Sequence, residues 1–217
     1  MKHTKKLFAL LLALVLALSC CVVAFAGDEE TPAQETPSEP VYVARMYICA
    51  RVVFFGHVWL YFENLTDGDI TVGVYTVPAG EGVSVGAMGN SRADGYGIYY
   101  NVEAYMIHKM GGSGTVGRSM LLTQDQLDTV NAAILERNEW SLSSNNCCRF
   151  ATRVWNSVAD RPVSYAFLPL TVKGRIGSGG APNMFYPPRS RVYRQHGTGT
   201  GATLSRVKGA SLIMFVG

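Results

Sequence analysis

Asn145-Asn146-Cys147-Cys148-Arg149-Phe150-Ala151-Thr152-Arg153-Val154-Trp155-Asn156 is the stretch whose reading decides the fold. Asn145 or Asn146 can serve as an N-cap, its side-chain oxygen accepting from the first free backbone N–H groups. Phe150, Ala151, Val154, Trp155 and Val158 then recur at helical spacing. Cys147 lies on the same stripe, whereas Cys148 is turned by ~100° toward its flank. Cys147 therefore sits in the first turn and points at whatever the helix packs on. A thiol there feels the positive end of the helix dipole, which favours thiolate. Nucleophilic cysteines are commonly built in this way. A small buried hydrophobe or one half of a disulfide would fit the same position, and the helix by itself does not choose among these readings.

The chain has 217 residues, the size of one ordinary domain once its ends are set aside. Lys2, Lys5 and Lys6 precede an apolar run from Leu7 to Leu18, followed by Ala24-Phe25-Ala26. A basic start, an apolar centre and a small-x-small site read as a signal peptide over residues 1–26, making the protein secreted or extracytoplasmic. A retained transmembrane helix needs ~20 apolar residues. Leu7 to Ala26 just reaches that length, but the A-x-A ending favours cleavage and leaves no stable membrane span. Lipoprotein anchoring at Cys20 or Cys21 ranks second; before Cys20, Ala17-Leu18-Ser19 puts leucine one place too late for the usual lipobox. Residues 27–40 are acidic and rich in Pro, Thr and Glu, the composition of a disordered tether. Residues 41–217 form the folded domain, with an irregular C-terminal part.

The formal charge of +3 comes from Lys2, Lys5 and Lys6, so the chain after the leader is neutral. Asp28, Glu29, Glu30, Glu35 and Glu39 lie in the tether, which leaves 16 basic against 11 acidic residues from Val41 on. That balance suits an anionic surface polymer such as a cell wall. The basic residues are scattered rather than clustered, which gives no nucleic-acid signature. Cys49, Cys147 and Cys148 remain after the leader, so at least one thiol is unpaired within a monomer. Adjacent Cys147 and Cys148 do not suit a bond within a helix, while a Cys49–Cys148 bridge stays open. No C-x-x-C pair or histidine cluster suggests a metal. Gly111-Gly112-Ser113-Gly114 lacks the lysine of a phosphate loop, and no cofactor is expected.

Val41–Val52 and Gly56–Glu63 read as two strands. The turn cluster Asn64–Asp69 leads to a third over Ile70–Val77, and Val83–Gly86 continues the sheet. Tyr99–Lys109 fits a strand or a short helix. Thr123-Gln124-Asp125-Gln126 opens a helix with a capping box, running to about Asn138. After Pro162 the chain reads as irregular, with loops at 174–180, 187–188 and 197–201 and short strands near Val192 and over Leu212–Val216. The class is α+β.

A cysteine nucleophile needs a base within reach. His57, His108 and His196 are available after the leader. His196 falls in a Gly-rich loop and His108 abuts Lys109. His57 lies in the second strand, where alternation places His57, Trp59, Tyr61 and Glu63 on one face. If the cysteine helix covers that face, His57 and Cys147 meet.

Gly56-His57-Val58-Trp59-Leu60-Tyr61 followed by Asn146-Cys147-Cys148-Arg149-Phe150-Ala151 resembles the circularly permuted NlpC/P60 papain-like superfamily. That group includes the lecithin:retinol acyltransferase-like proteins. The similarity spans about residues 41–159. It implies a papain-like fold in which an antiparallel sheet packs against the cysteine helix. It also implies Cys147 as nucleophile and His57 as base. The Cys147 backbone N–H at the helix start is the natural oxyanion donor. The family's third polar residue lies on the next strand. If Glu63 pairs with Ile70 across the turn, Thr76 falls opposite His57, and a one-residue slip gives Tyr75. The expected function is a cysteine peptidase or amidase cleaving amide bonds, above all in peptidoglycan peptide. Thiol acyl transfer on lipids and a non-catalytic wall-binding domain are the alternatives. If the leader is processed as read, N-terminal sequencing of the secreted protein finds Gly27 first. A lipid-modified start at Cys20 or Cys21 would contradict the reading.

Overall fold

The structure, a computed structural model, describes residues 39–52, 56–89 and 95–208. The leader expected over 1–26, the tether expected from 27 up to Ser38 and the strand expected over Leu212–Val216 lie outside them. The strands are β1 Ala44–Arg51, β2 His57–Asn64, β3 Ile70–Val72, β4 Tyr75–Val77, β5 Gly82–Met88, β6 Gly97–Tyr100, β7 Val116–Leu122, β8 Tyr193–His196 and β9 Thr203–Arg206. The helices are α1 Val102–Met110, α2 Gln124–Leu135, α3 Cys147–Asn156 and α4 Pro169–Ile176. Seven strands form one antiparallel sheet in the order β7-β1-β2-β5-β6-β8-β9, and β3 and β4 pair apart from it. The class is α+β. Among the described residues no helix is long and apolar enough to cross a membrane.

Alternation along β2 divides the interior. Val58, Leu60 and Phe62 join Met46, Ile48 and Val85 in the main core, against Phe150, Val154 and Trp155 of α3. Trp59 and Tyr61 point the other way, into a smaller cluster with Cys49, Ala104 and Met184. The cysteine helix therefore covers the face opposite to the one that carries His57, contrary to the expectation from sequence. Its apolar stripe buries Phe150, Ala151, Val154 and Trp155 together against the β2 face that carries Val58, Leu60 and Phe62. The same division rules out a Cys49–Cys148 bridge: the two thiols lie in separate clusters on opposite faces, and both are free.

The stretch expected as one third strand is a short ribbon. Gly73, at φ 60°, turns the chain between β3 and β4. Its N–H donates to Asn131 Oδ1 at 2.8 Å and Asn131 Nδ2 donates to Thr71 O at 3.0 Å, which ties the ribbon to α2. The partner of β2 is instead β5, with Glu63 opposite Gly82. Tyr99–Lys109, open between strand and helix, contains both: β6 ends at Tyr100 and α1 begins at Val102. The capping box is present, with Thr123 Oγ1 accepting from Gln126 N and Gln126 Oε1 accepting from Thr123 N. The C-terminal part is more regular than its composition suggests. α4 starts with Pro169 in its first turn, where a missing N–H costs nothing, and β8 and β9 complete the sheet.

A side chain at Gly73 would place Cβ 2.2 Å from Tyr100 Oη. The left-handed backbone adds about 1–2 kcal/mol of its own. Gly73→Ala should therefore lower the melting temperature by several degrees, and a thermal melt matching wild type would contradict this account of the ribbon.

Candidate active site

The site is assembled at the end of β2, where the N-terminus of α3 arrives. Asn146 caps α3, its Oδ1 accepting from Arg149 N at 2.9 Å. Its Nδ2 donates to Leu142 O and Phe167 O, both at 3.3 Å. One side chain thus fixes both the start of the helix and the loops beside it. Cys147 is the first helical residue and is half-buried, whereas Cys148 is fully buried in the main core. The helix is rolled relative to the expected orientation. Cys148 is the thiol that enters the apolar core, and Cys147 stands at its margin. There the sulfur reaches round the strand end to the imidazole of His57 and to the backbone N–H of Val58. Position at the strand terminus, and not a shared sheet face, brings Cys147 and His57 together.

His57 is held from its far side by a residue the sequence reading did not single out. Its Nε2 is 2.9 Å from Glu103 Oε1, which leaves Nδ1 for the sulfur. The imidazole also stacks on Trp59, with ring centroids 5.8 Å apart and planes 12° from parallel. Glu103 sits in the first turn of α1 and is buried. Its second oxygen accepts from Ser84 Oγ at 2.8 Å, and that hydroxyl in turn accepts from Ala104 N at 3.1 Å. α1 is launched into this position by Asn101, which has φ 66° without being glycine. Asn101 is locked by its N–H to Ser84 O at 2.8 Å and its Nδ2 to Arg191 O at 3.0 Å. Strain of this kind persists only where neighbours over-determine it. Gly86 completes the pocket for the carboxylate: a Cβ there would lie 1.9 Å from Glu103 Oε1 and 3.1 Å from His57 Nε2.

Thr76 and Tyr75, the residues expected to orient His57, do not reach it. Both lie on β4 in the separate ribbon. Thr76 is exposed, and Tyr75 stacks on Tyr100 at 5.8 Å. The expectation failed because it placed β4 beside β2, where β5 lies. The signal for Glu103 was slight: an acid in the first turn of a helix is ordinary, and only its burial marks it. His108 Nε2 meets Met184 O at 2.8 Å and His196 Nε2 meets Ser205 Oγ at 2.5 Å, so both are engaged elsewhere.

The electrostatics follow from the geometry. Burial acts to lower the His57 pKa, but hydrogen bonds and charge attraction from Cys147 and Glu103 outweigh it and push the value up to about 10. The Cys147 thiol is held well below its ordinary range. The largest cause is hydrogen bonding from Cys148; burial opposes it, and His57 and the Val58 N–H lower it further. Cys148 is displaced upward by donating its proton to Cys147 and by burial. Cys49 is also displaced upward, first by burial and then by the charge of Glu103. Of the three thiols, Cys147 alone is arranged as a thiolate. With 24 % of its side chain exposed, His57 keeps the pair accessible to a reactant. The Cys147 N–H lies in the first turn, where no intrahelical acceptor exists, and the N-cap oxygen is taken by Arg149. Among the described residues no group of three His, Cys, Asp or Glu could hold a metal ion.

Comparison with protein-family models, with curated proteins and with solved structures finds no match for this chain.

Two substitutions probe the Glu103 support. Gly86→Ala should displace the carboxylate, and Glu103→Gln should remove its charge while keeping its shape. Either should raise the Cys147 pKa, and one unit corresponds to tenfold less thiolate, about 1.4 kcal/mol. Alkylation of Cys147 by iodoacetamide, followed down the acid limb where the thiol is only partly ionised, should slow by about that factor. Unchanged alkylation rates in both variants would show that Glu103 does not support the pair.

Proposed function

We propose that the protein is a thiol hydrolase that cleaves amide bonds, with cell-wall peptide as its substrate class. The observation that carries this reading is the chain of contacts Cys147–His57–Glu103 at a helix N-terminus, a nucleophile, a base and an orienting carboxylate in order. The resemblance to permuted NlpC/P60 proteins supports the choice of amide bonds. The leader and the basic excess of the folded domain support a wall substrate.

In this mechanism the Cys147 thiolate attacks the amide carbonyl carbon. The carbonyl oxygen takes up the negative charge, which the Cys147 N–H can receive. Collapse breaks the C–N bond, and His57 gives its proton to the departing amine. Water then attacks the thioester, with neutral His57 accepting the proton, and the acid leaves as the thiolate re-forms. Glu103 keeps Nδ1 directed at the sulfur and stabilises the imidazolium while it exists. Cys148 donates to the thiolate without taking part in bond making.

Purified wall fragments digested with the protein should yield new amino and carboxyl ends, identified by mass spectrometry. Cys147→Ala should abolish them. Cys148→Ser should retain most activity, because its hydroxyl still donates to the sulfur. The opposite pattern, an active Cys147→Ala and a dead Cys148→Ser, would overturn the assignment.

The rate should follow a bell in pH. It rises on the acid side as Cys147 ionises, below the ordinary thiol range, and falls on the alkaline side as His57 loses its proton at about 10. These limbs belong to the coupled pair rather than to either residue. A profile rising only through the ordinary thiol pKa of about 8.5 would contradict the ion pair.

A further inference from the structure

The outer side of α3 borders a second feature. Arg149, Thr152, Arg153 and Asn156 recur at helical spacing and, with Arg137 and Tyr165, line a cavity of about 220 Å³. Arg149 Cζ lies over the Tyr165 ring, 4.3 Å from its centroid. That cation–π contact restrains the guanidinium, and its N–H groups make no hydrogen bond to the described residues, leaving them for a ligand. Arg153 donates through Nη1 to Glu136 Oε2 at 2.6 Å and to Ala133 O at 2.7 Å. Its Nε and Nη2 are buried away from the cavity and make no hydrogen bond among the described residues, so Arg153 contributes charge there rather than free donors. Arg137 Nε shares the same carboxylate, 3.2 Å from Glu136 Oε1. Glu136 is thus divided between two guanidiniums, and Glu139 is the other acid whose charge Arg153 feels. Three cations from two segments converge on one concave surface with their donors incompletely matched. Arg137 and Arg149 are the exposed arginines of the lining, and an anion bearing several oxygens would meet both guanidiniums at once.

We infer that this cavity is a binding site for a phosphate group, separate from the Cys147 chemistry and independent of the proposed hydrolysis. A carboxylate has two oxygens in one plane and satisfies one arginine fork. A phosphate presents three or four oxygens in a tetrahedron, which suits forks arriving from different directions. The cavity also has room beyond the phosphate itself for the organic part of a phosphate ester.

Calorimetric titration of the full chain at constant ionic strength tests this with inorganic phosphate, glycerol 3-phosphate and a short glycerol-phosphate oligomer as probes. Saturable binding with one site per chain is expected, and acetate at the same concentration should not displace the bound phosphate. Arg137 and Arg149 are exposed, so Arg137→Ala and Arg149→Ala should fold, as thermal melts would verify. Arg149→Ala should weaken phosphate binding about tenfold and Arg149→Lys nearly as much, since a lysine lacks the planar fork. Arg206→Ala, a change at an exposed arginine on β9, should leave binding unchanged. Tighter binding of the oligomer than of free phosphate would mark a polymer as the source, and the reverse would mark a small solute. Equal binding by wild type and Arg149→Ala, equal loss in Arg206→Ala, or displacement by acetate as effective as by phosphate would overturn the proposal.

Discussion

A thiolate and an imidazolium can share a half-buried corner only if the imidazolium is held from behind, and the Glu103–His57 contact at 2.9 Å does this. Burial by itself favours neutral imidazole and neutral thiol. Without a carboxylate, the proton would have less reason to leave sulfur for nitrogen. Glu103 can act there because its own burial is compensated: Ser84 Oγ takes its second oxygen, and Ser84 is anchored by the N–H of Ala104. A buried charge is tolerable only with such partners. Much of the local architecture serves this placement. The left-handed Asn101 turns the chain from β6 into α1, and Gly86 leaves the carboxylate its space.

The sheet sets what each element can contribute. β2 turns its aliphatic residues toward α3 and its polar-aromatic residues toward α1. His57 is the first residue of the strand, the one place where a side chain from the α1 face lies close to an element packed on the α3 face. A histidine two residues further along, at Trp59, would be enclosed with Cys49 and Ala104, away from the helix start. The Cys147–His57 contact is therefore tied to a strand terminus. Cys147, on the margin of the α3 stripe, is reachable there, while Cys148 beside it is sealed in the core.

Local signals in the sequence were informative where they depend on a few adjacent residues. The N-cap, at Asn146 of the two candidate asparagines, the capping box at Thr123 and Gln126, and the two faces of β2 are all present. The residues expected to meet, Cys147 and His57, do meet, although by a different route from the one inferred. Long-range pairing was not legible. Val72-Gly73-Val74 reads as continuous strand until Gly73 is seen to turn at positive φ. With the chain turned there, Tyr75 and Thr76 lie in the separate ribbon, and β5 lies beside β2. Glu103 was hidden for a related reason: its helix begins immediately after a strand, in a segment whose pattern fits both. The cavity lined by arginines was invisible as a site, because Arg137 and Arg149 come from separate segments and read as ordinary surface charge.

Direct titration of the His57 ring is the decisive measurement. Nitrogen-15 NMR of the imidazole between pH 5 and 11 should show both ring nitrogens protonated through neutrality, with the proton lost only at about 10. In Cys147→Ala the same titration should move to lower pH, because the thiolate that holds the proton is gone. A wild-type ring titrating near the ordinary 6.5, unmoved by Cys147→Ala, would contradict a thiolate–imidazolium pair at this site.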